Sequence, residues 1–185
     1  MKIVLIGDSI RMGYQEMVRQ KVGARAEVWG PAENCRHSLV HRESLTAWAI
    51  DTKPDVYHFN CGIHDLVPLD GAPRFEVAGY VRNLELIVRR LKAETKARII
   101  WATITPMLVP RDGVTPKSQS KLDADVARYN AAARPVMEKN GIEIDDLYQA
   151  VMDAGVQKCL SDDKCHMSPF GNEVLSDTVV RFIFG

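Results

Sequence analysis

The sequence predicts an α/β domain: a mostly parallel sheet of about five strands with helices on both faces. Two observations carry this prediction. Short, β-branched apolar runs alternate with longer stretches of helical periodicity from one end of the chain to the other. No internal repeat, low-complexity tract or linker interrupts the alternation, so residues 1–185 read as a single domain.

The elements follow in order. Residues 2–7 form a short β-branched run, read as a buried strand, and residues 14–22 carry a helical pattern. Residues 26–29 make a brief second strand and residues 39–50 a second helix. Residues 55–61, with Val56, Tyr57 and Phe59, read as a third strand entered just after Pro54. Over residues 75–94 the apolar positions Val77, Tyr80, Val81, Leu84, Ile87, Val88 and Leu91 repeat with the period of a helix. Residues 98–105 form a buried strand ended by Pro106. The stretch 107–120, carrying Pro110, Gly113 and Pro116, is the most loop-like part and is placed to overhang a site. Residues 122–139 read as a helix interrupted or bent near Pro135. A last strand, 142–144, follows the Asn140-Gly141 turn. Ser168-Pro169 supplies an N-cap and a first-turn proline for a closing helix through Phe182.

Composition narrows the function. Apolar residues make up 46% and charged residues 26% of the chain, the balance of a globular protein with a real core. Twenty-four Lys and Arg offset 24 Asp and Glu, so the basic surplus that phosphate neutralisation demands is missing and no nucleic-acid partner is expected. Arg89-Arg90 with Lys92 is an ordinary helix surface. No apolar run approaches the ~18–20 residues that span a bilayer. The apolar start, residues 3–6, is too short for a signal sequence core of ~7–15 residues. The expectation is a cytoplasmic protein, or a secreted one whose leader has been trimmed. Cys35, Cys61, Cys159 and Cys165 contain no CxxC pair and are expected as free thiols, although Cys159 and Cys165 could close a small loop in an oxidising compartment. Their spacing with His166 fits no structural zinc pattern, so no metal is expected.

In open α/β sheets ligands bind beyond the carboxyl ends of the strands. That directs attention to residues 7–11, 30–38, 61–66 and 161–166. Gly7-Asp8-Ser9-Ile10 follows the first strand directly, where a turn into a helix presents Ser9 at the sheet edge. A serine hydroxyl becomes a useful nucleophile only when a base takes its proton. The plainer reading is that Asp8 or Ser9 caps the helix. Asp163-Lys164-Cys165-His166 lies just before the last helix. In a turn, three residues of separation bring a carboxylate to an imidazole Nδ1–H, where it sets the tautomer and stabilises the imidazolium. Asp162, four residues from His166, is the competing acid.

Taken together, these blocks are similar to the first and last blocks of the SGNH/GDSL hydrolase family, and the resemblance spans the whole chain. It includes Ala102-Thr103-Ile104-Thr105-Pro106 and the Tyr129-Asn130 pair. Gly62-Ile63-His64-Asp65 sits where that family has Gly-x-Asn-Asp, and Asn34-Cys35-Arg36-His37-Ser38 where it has an oxyanion-hole glycine. The resemblance implies a three-layer α/β/α, flavodoxin-like fold and a serine esterase with Ser9, His166 and Asp163 as its triad. It further implies an oxyanion hole from the N–H groups of Ser9 and Cys35 with the His64 side chain. Two departures follow. Cys35 in place of glycine keeps its N–H and serves if its φ is negative. His64 in place of asparagine can donate one N–H if its tautomer is right, as in SGNH-like sequences that have Gly-x-His-Asp. The alternatives are a structural histidine in this loop and a non-catalytic binding domain of the same fold.

Neither cofactor nor metal is required by such a mechanism, and activity is expected to fall as His166 protonates near the ordinary histidine value of ~6.5. The small chain lacks a large lid, so short acyl groups are expected, with O-acetyl groups on carbohydrates the leading candidate. Arg11, Arg36 and His37 are candidates to recognise a polar alcohol portion. His58 reads as a buried strand residue. The competing possibility of a flavin-binding or receiver-type module lacks its phosphate-loop chemistry, with neither GxGxxG nor GxxxxGK[ST] present.

Overall fold

The computed structural model describes residues 1–67, 75–108 and 116–185, apart from the side chains of 116–123. Five strands, β1 (Lys2–Ile6), β2 (Glu27–Trp29), β3 (Val56–Phe59), β4 (Arg98–Ala102) and β5 (Glu143–Asp145), form one sheet in the order β2-β1-β3-β4-β5. Every pairing is parallel, with Ile3 beside Val56 and Val56 beside Arg98 setting the central register. The helices are α1 (Ser9–Val22), α2 (Ser38–Leu45), α3 (Ile63–Leu66), α4 (Val77–Glu94), α5 (Pro116–Asn140), α6 (Leu147–Ala154), α7 (Val156–Cys159) and α8 (Pro169–Phe184).

Two helical layers enclose the sheet. On one face α1 packs along α8, which also holds α6 and α7; on the other, α4 lies between α2 and α5. The central strands are therefore covered on both sides, and Ile3, Val4, Leu5, Ile6, Tyr57, Phe59 and Trp101 are fully buried. Strand order reverses between β1 and β3, so the loops after these strands diverge and leave a crevice at the carboxyl edge.

The predicted α/β/α fold is present, with differences in the elements. The first helix begins at Ser9, before the apolar periodicity starts, because Arg11 occupies a buried position and Gly13 packs against Asn172. The second helix continues past Leu45 as a π-helical turn, Thr46–Ile50. The fifth begins at Pro116 rather than 122; residues 116–121 are polar and carry no periodic signal, while proline is well suited to a first helical position. It runs on through Pro135, where Pro135 and Ala131 are both exposed, so the carbonyl that loses its partner faces water. The short helices α6 and α7 lie in a segment for which the sequence suggested no element. Residues 109–115 of the expected overhanging loop lie outside the described residues. Among the described residues no helix is long and apolar enough to cross a membrane.

Candidate active site

The turn after β1 places the first side chain. Asp8 caps α1, its Oδ1 accepting from the Ile10 N–H at 2.9 Å, and Ser9 becomes the first residue of the helix. First-turn N–H groups have no intrahelical acceptor, so the Ser9 amide is left without a partner inside its own helix. Capping and presentation of Ser9 are thus one arrangement rather than alternatives.

The segment before α8 places the other two. Ser161 N–H donates to the His166 carbonyl at 2.8 Å, and Leu160 bridges Met167, closing residues 161–166 into a tight loop. Lys164 takes φ +58° to complete the turn. Asp163 Oδ1 accepts from the N–H groups of Cys165 and His166, at 3.0 and 2.9 Å, and from the Ser161 hydroxyl at 2.8 Å. Oδ2 is left for His166 Nδ1, at 2.6 Å, and His166 Nε2 lies 2.8 Å from Ser9 Oγ. Partial burial acts to raise the Asp163 carboxyl, but the His166 ring and the three loop donors outweigh it and hold the group well below the usual carboxylate range. It is ionised at neutral pH, which makes Nδ1 the protonated ring atom and Nε2 the acceptor for the Ser9 hydroxyl. Asp162 is exposed and makes no part of this chain.

The remaining sequence-predicted residues are distributed differently from expectation. The Cys35 N–H donates to the Gly7 carbonyl at 3.3 Å and is not free to face the crevice. Arg11 is a clear correction. Its guanidinium is buried and donates to the carbonyls of Gly7, Pro31 and Glu33, the last two at 2.8 Å, so it braces the β2–α2 loop and cannot reach a ligand. Arg36 is exposed at φ +56°. His37 is buried as the N-cap of α2, with its ring tilted against Phe75 at 5.3 Å; burial, with His64 and Arg36 adding to it, lowers its pKa.

His64 projects from the first turn of α3. That turn needs Gly62, whose φ is 144° and where a Cβ would fall 2.2 Å from Ile104 Cδ1. His64 Nε2 lies 3.4 Å from the Asn34 amide nitrogen. Arg36 N–H donates to Asn34 Oδ1 at 2.8 Å, which fixes the amide's orientation and turns its NH₂ to the ring. Nε2 therefore accepts here, contrary to the donor role expected of His64. Asp65 accepts from both Ser38 N–H (2.9 Å) and Ser38 hydroxyl (2.5 Å), tying the β3–α3 loop to α2. Burial raises its carboxyl to about 6 against the opposing pull of those Ser38 bonds. Asn34 and Asp65 both stand inside the quoted motifs, but their partners lie 27–30 residues away in sequence and no local spacing announces them.

Ser9, His64 and His166 line one small cavity of about 30 Å³ with Ile63, Val67, Met107 and Cys165. A much larger one, about 820 Å³, lies between α6 and α8 and contains none of these residues. The smaller cavity has the reactive chemistry, and its walls are mostly apolar. Such a hydroxyl–imidazole–carboxylate chain can deliver a deprotonated serine to an electrophilic carbon.

Comparisons with known proteins show the family and the fold. The GDSL-like Lipase/Acylhydrolase family model matches residues 5–174. No curated protein sequence matches the chain. Among solved structures, the acetyl xylan esterase AlAXEase superposes with a TM-score of 0.81 at 16% identity, covering 100% of both chains. A lipase/acylhydrolase from Enterococcus faecalis gives 0.78 at 24% identity, over 98% of this chain and 94% of that one. Axe2, an acetylxylan esterase from Geobacillus stearothermophilus, gives 0.76 at 19%, over 100% and 94%. The chain belongs to the GDSL-like lipase/acylhydrolase family, and it is an ester hydrolase.

Proposed function

We propose that the protein is a serine esterase for short acyl groups, acting through an acyl-enzyme on Ser9, with O-acetyl groups on carbohydrates as the favoured substrate class. One observation carries the mechanism: Ser9 Oγ is 2.8 Å from His166 Nε2, and His166 Nδ1 is 2.6 Å from Asp163. Ser9 Oγ attacks the ester carbon while its proton passes to His166 Nε2. Asp163 stabilises the resulting imidazolium, and the Ser9 N–H receives part of the charge on the carbonyl oxygen. His166 then gives its proton to the departing alcohol. Water repeats the sequence on the acyl-enzyme and returns Ser9.

The size of the cavity supports a short acyl chain. About 30 Å³ lined by Ile63, Val67 and Met107 is room for a group of methyl size. The carbohydrate portion of the reading draws on the names of two structural neighbours, both acetylxylan esterases. Arg36, exposed on the loop that enters α2, remains the candidate to meet the alcohol portion, whereas His37 is buried and its ring caps the helix.

Hydrolysis of p-nitrophenyl acetate, butyrate and octanoate by wild type and Ser9→Ala tests the proposal. Wild type should turn over acetate fastest, and the variant should lose about 10³-fold or more. Equal turnover by the two proteins would reject Ser9 as nucleophile; a preference for octanoate would reject the short-acyl assignment. Acetylated xylo-oligosaccharides, compared with simple alkyl acetates, test the alcohol side.

A further inference from the structure

An acyl-transfer site needs more than one donor for the oxygen that gains negative charge. Of the donors expected beside the Ser9 N–H, the Cys35 amide is committed to Gly7 O at 3.3 Å. The His64 side chain faces another donor: its Nε2 is 3.4 Å from Asn34 Nδ2. The Asn34 amide cannot be exchanged end for end, since the Arg36 N–H already occupies its oxygen at 2.8 Å. Two N–H groups do not bond to each other, so the neutral His64 ring presents its lone pair at Nε2 and carries its proton on Nδ1. Nδ1 is itself buried and has no hydrogen-bond partner among the described residues.

A primary amide has two N–H bonds. One of Asn34's is aimed at His64, and the other is unclaimed among the hydrogen bonds of the described residues. The side chain is only partly buried, next to Cys35, which is stitched to the residue two before Ser9. It meets His64, which lines the same cavity as Ser9 and His166.

We propose that Asn34 supplies the side-chain N–H that stabilises the oxyanion, with His64 as the acceptor that holds its amide in place. The proposal rests on the acyl-transfer reading of Ser9. As the Ser9 Oγ–carbon bond forms and the Ser9 proton moves to His166, the carbonyl π pair moves to the oxygen, which accepts from the Ser9 and Asn34 N–H groups. Collapse returns that pair, breaks the bond to the leaving oxygen and transfers the His166 proton to it.

Steady-state kinetics on p-nitrophenyl acetate for wild type, Ser9→Ala, Asn34→Ala, Asn34→Asp and His64→Ala make the test. Both Asn34 variants should lose about 10²–10³ in kcat with KM within about twofold, and His64→Ala should lose less than either. If the Asn34 variants keep kcat within about threefold while Ser9→Ala is dead, Asn34 is not the donor and the esterase reading stands. If His64→Ala loses more than Asn34→Ala, His64 is the direct donor and the assignment is overturned. If wild type turns over no faster than Ser9→Ala, the esterase reading falls and Asn34's role with it. A long-range ¹H–¹⁵N spectrum of the wild type gives a readout independent of any variant's folding. His64 should be the Nδ1–H tautomer, changing to Nε2–H in Asn34→Asp, where the introduced carboxylate demands a donor. An Nε2–H ring in wild type would overturn the proposal.

Discussion

Asp163 divides its work between two oxygens. Oδ1 gathers three donors from its own loop and so fixes the carboxylate's direction, while Oδ2 is left to hold the His166 ring. Asp163→Asn keeps the size and an acceptor for the loop, but one of its two atoms becomes an N–H. An N–H facing Nδ1 favours the tautomer with its proton on Nε2, which cannot accept from Ser9. The expected result is a fall in kcat of about 10³–10⁴ with KM little changed, measured on a short p-nitrophenyl ester; a loss below tenfold would mean that His166 is held by something else. The meeting of Ser9, His166 and Asp163 was readable because a serine after a strand and an acid–x–x–histidine turn are local patterns. Arg11 and Asn34 were not. The sequence shows an arginine two residues after Ser9, but its acceptors include carbonyls 20 and 22 residues further on, and burial of a guanidinium among carbonyl groups leaves no trace in the pattern of side chains.

At the scale of elements, the site depends on short turns that force a loop to one shape. The third helix is the sharpest case, since α3 has a single turn and Gly62 sets its direction with φ 144°. Gly62→Ala introduces a strained backbone, costing about 1–3 kcal/mol before any clash, and a Cβ 2.2 Å from Ile104 Cδ1 adds to that. Ile104 is fully buried, so its side chain has little room to turn aside and the backbone strain at position 62 remains whichever of the two yields. A lowered urea midpoint together with reduced kcat is expected; an unchanged midpoint would show that the turn relaxes freely. This glycine was legible as a motif residue, and the strands and long helices were legible from period and turn chemistry. The two helices after β5 were not, because eight and four residues offer too little repetition to register against the loop around them. Their place is given by long-range packing: Gly171 of α8 comes so close to the Cys159 carbonyl of α7 that a Cβ there would sit 2.1 Å from it.

Across the whole molecule, α2 concentrates two opposing responses to pH. His41 is fully buried among Trp48, Tyr57 and Phe59, with Nε2 2.8 Å from the Tyr57 hydroxyl, and burial pulls its pKa down to about 3. Between that value and the ordinary ~6.5 the unfolded chain binds a proton that the folded chain refuses, so stability is lost as pH falls through this window, by up to about 5 kcal/mol. Asp65, which holds the start of the same helix through Ser38, behaves oppositely. With its carboxyl raised to about 6, the folded chain binds a proton that the unfolded chain has released, and stability is lost as pH rises from about 4 to 6, by up to about 3 kcal/mol. From pH 4 to 6 the two slopes have opposite sign and largely cancel. Each single variant should expose the other group. His41→Gln should become more stable relative to wild type as pH falls from 6 to 4. Asp65→Asn should become less stable relative to wild type over the same interval, because its His41 is then unopposed. The double variant should return to a flat profile. Urea midpoints at pH 4, 5, 6 and 7 check all three, and identical slopes in wild type and both single variants would mean that neither group keeps its perturbed protonation in the folded protein.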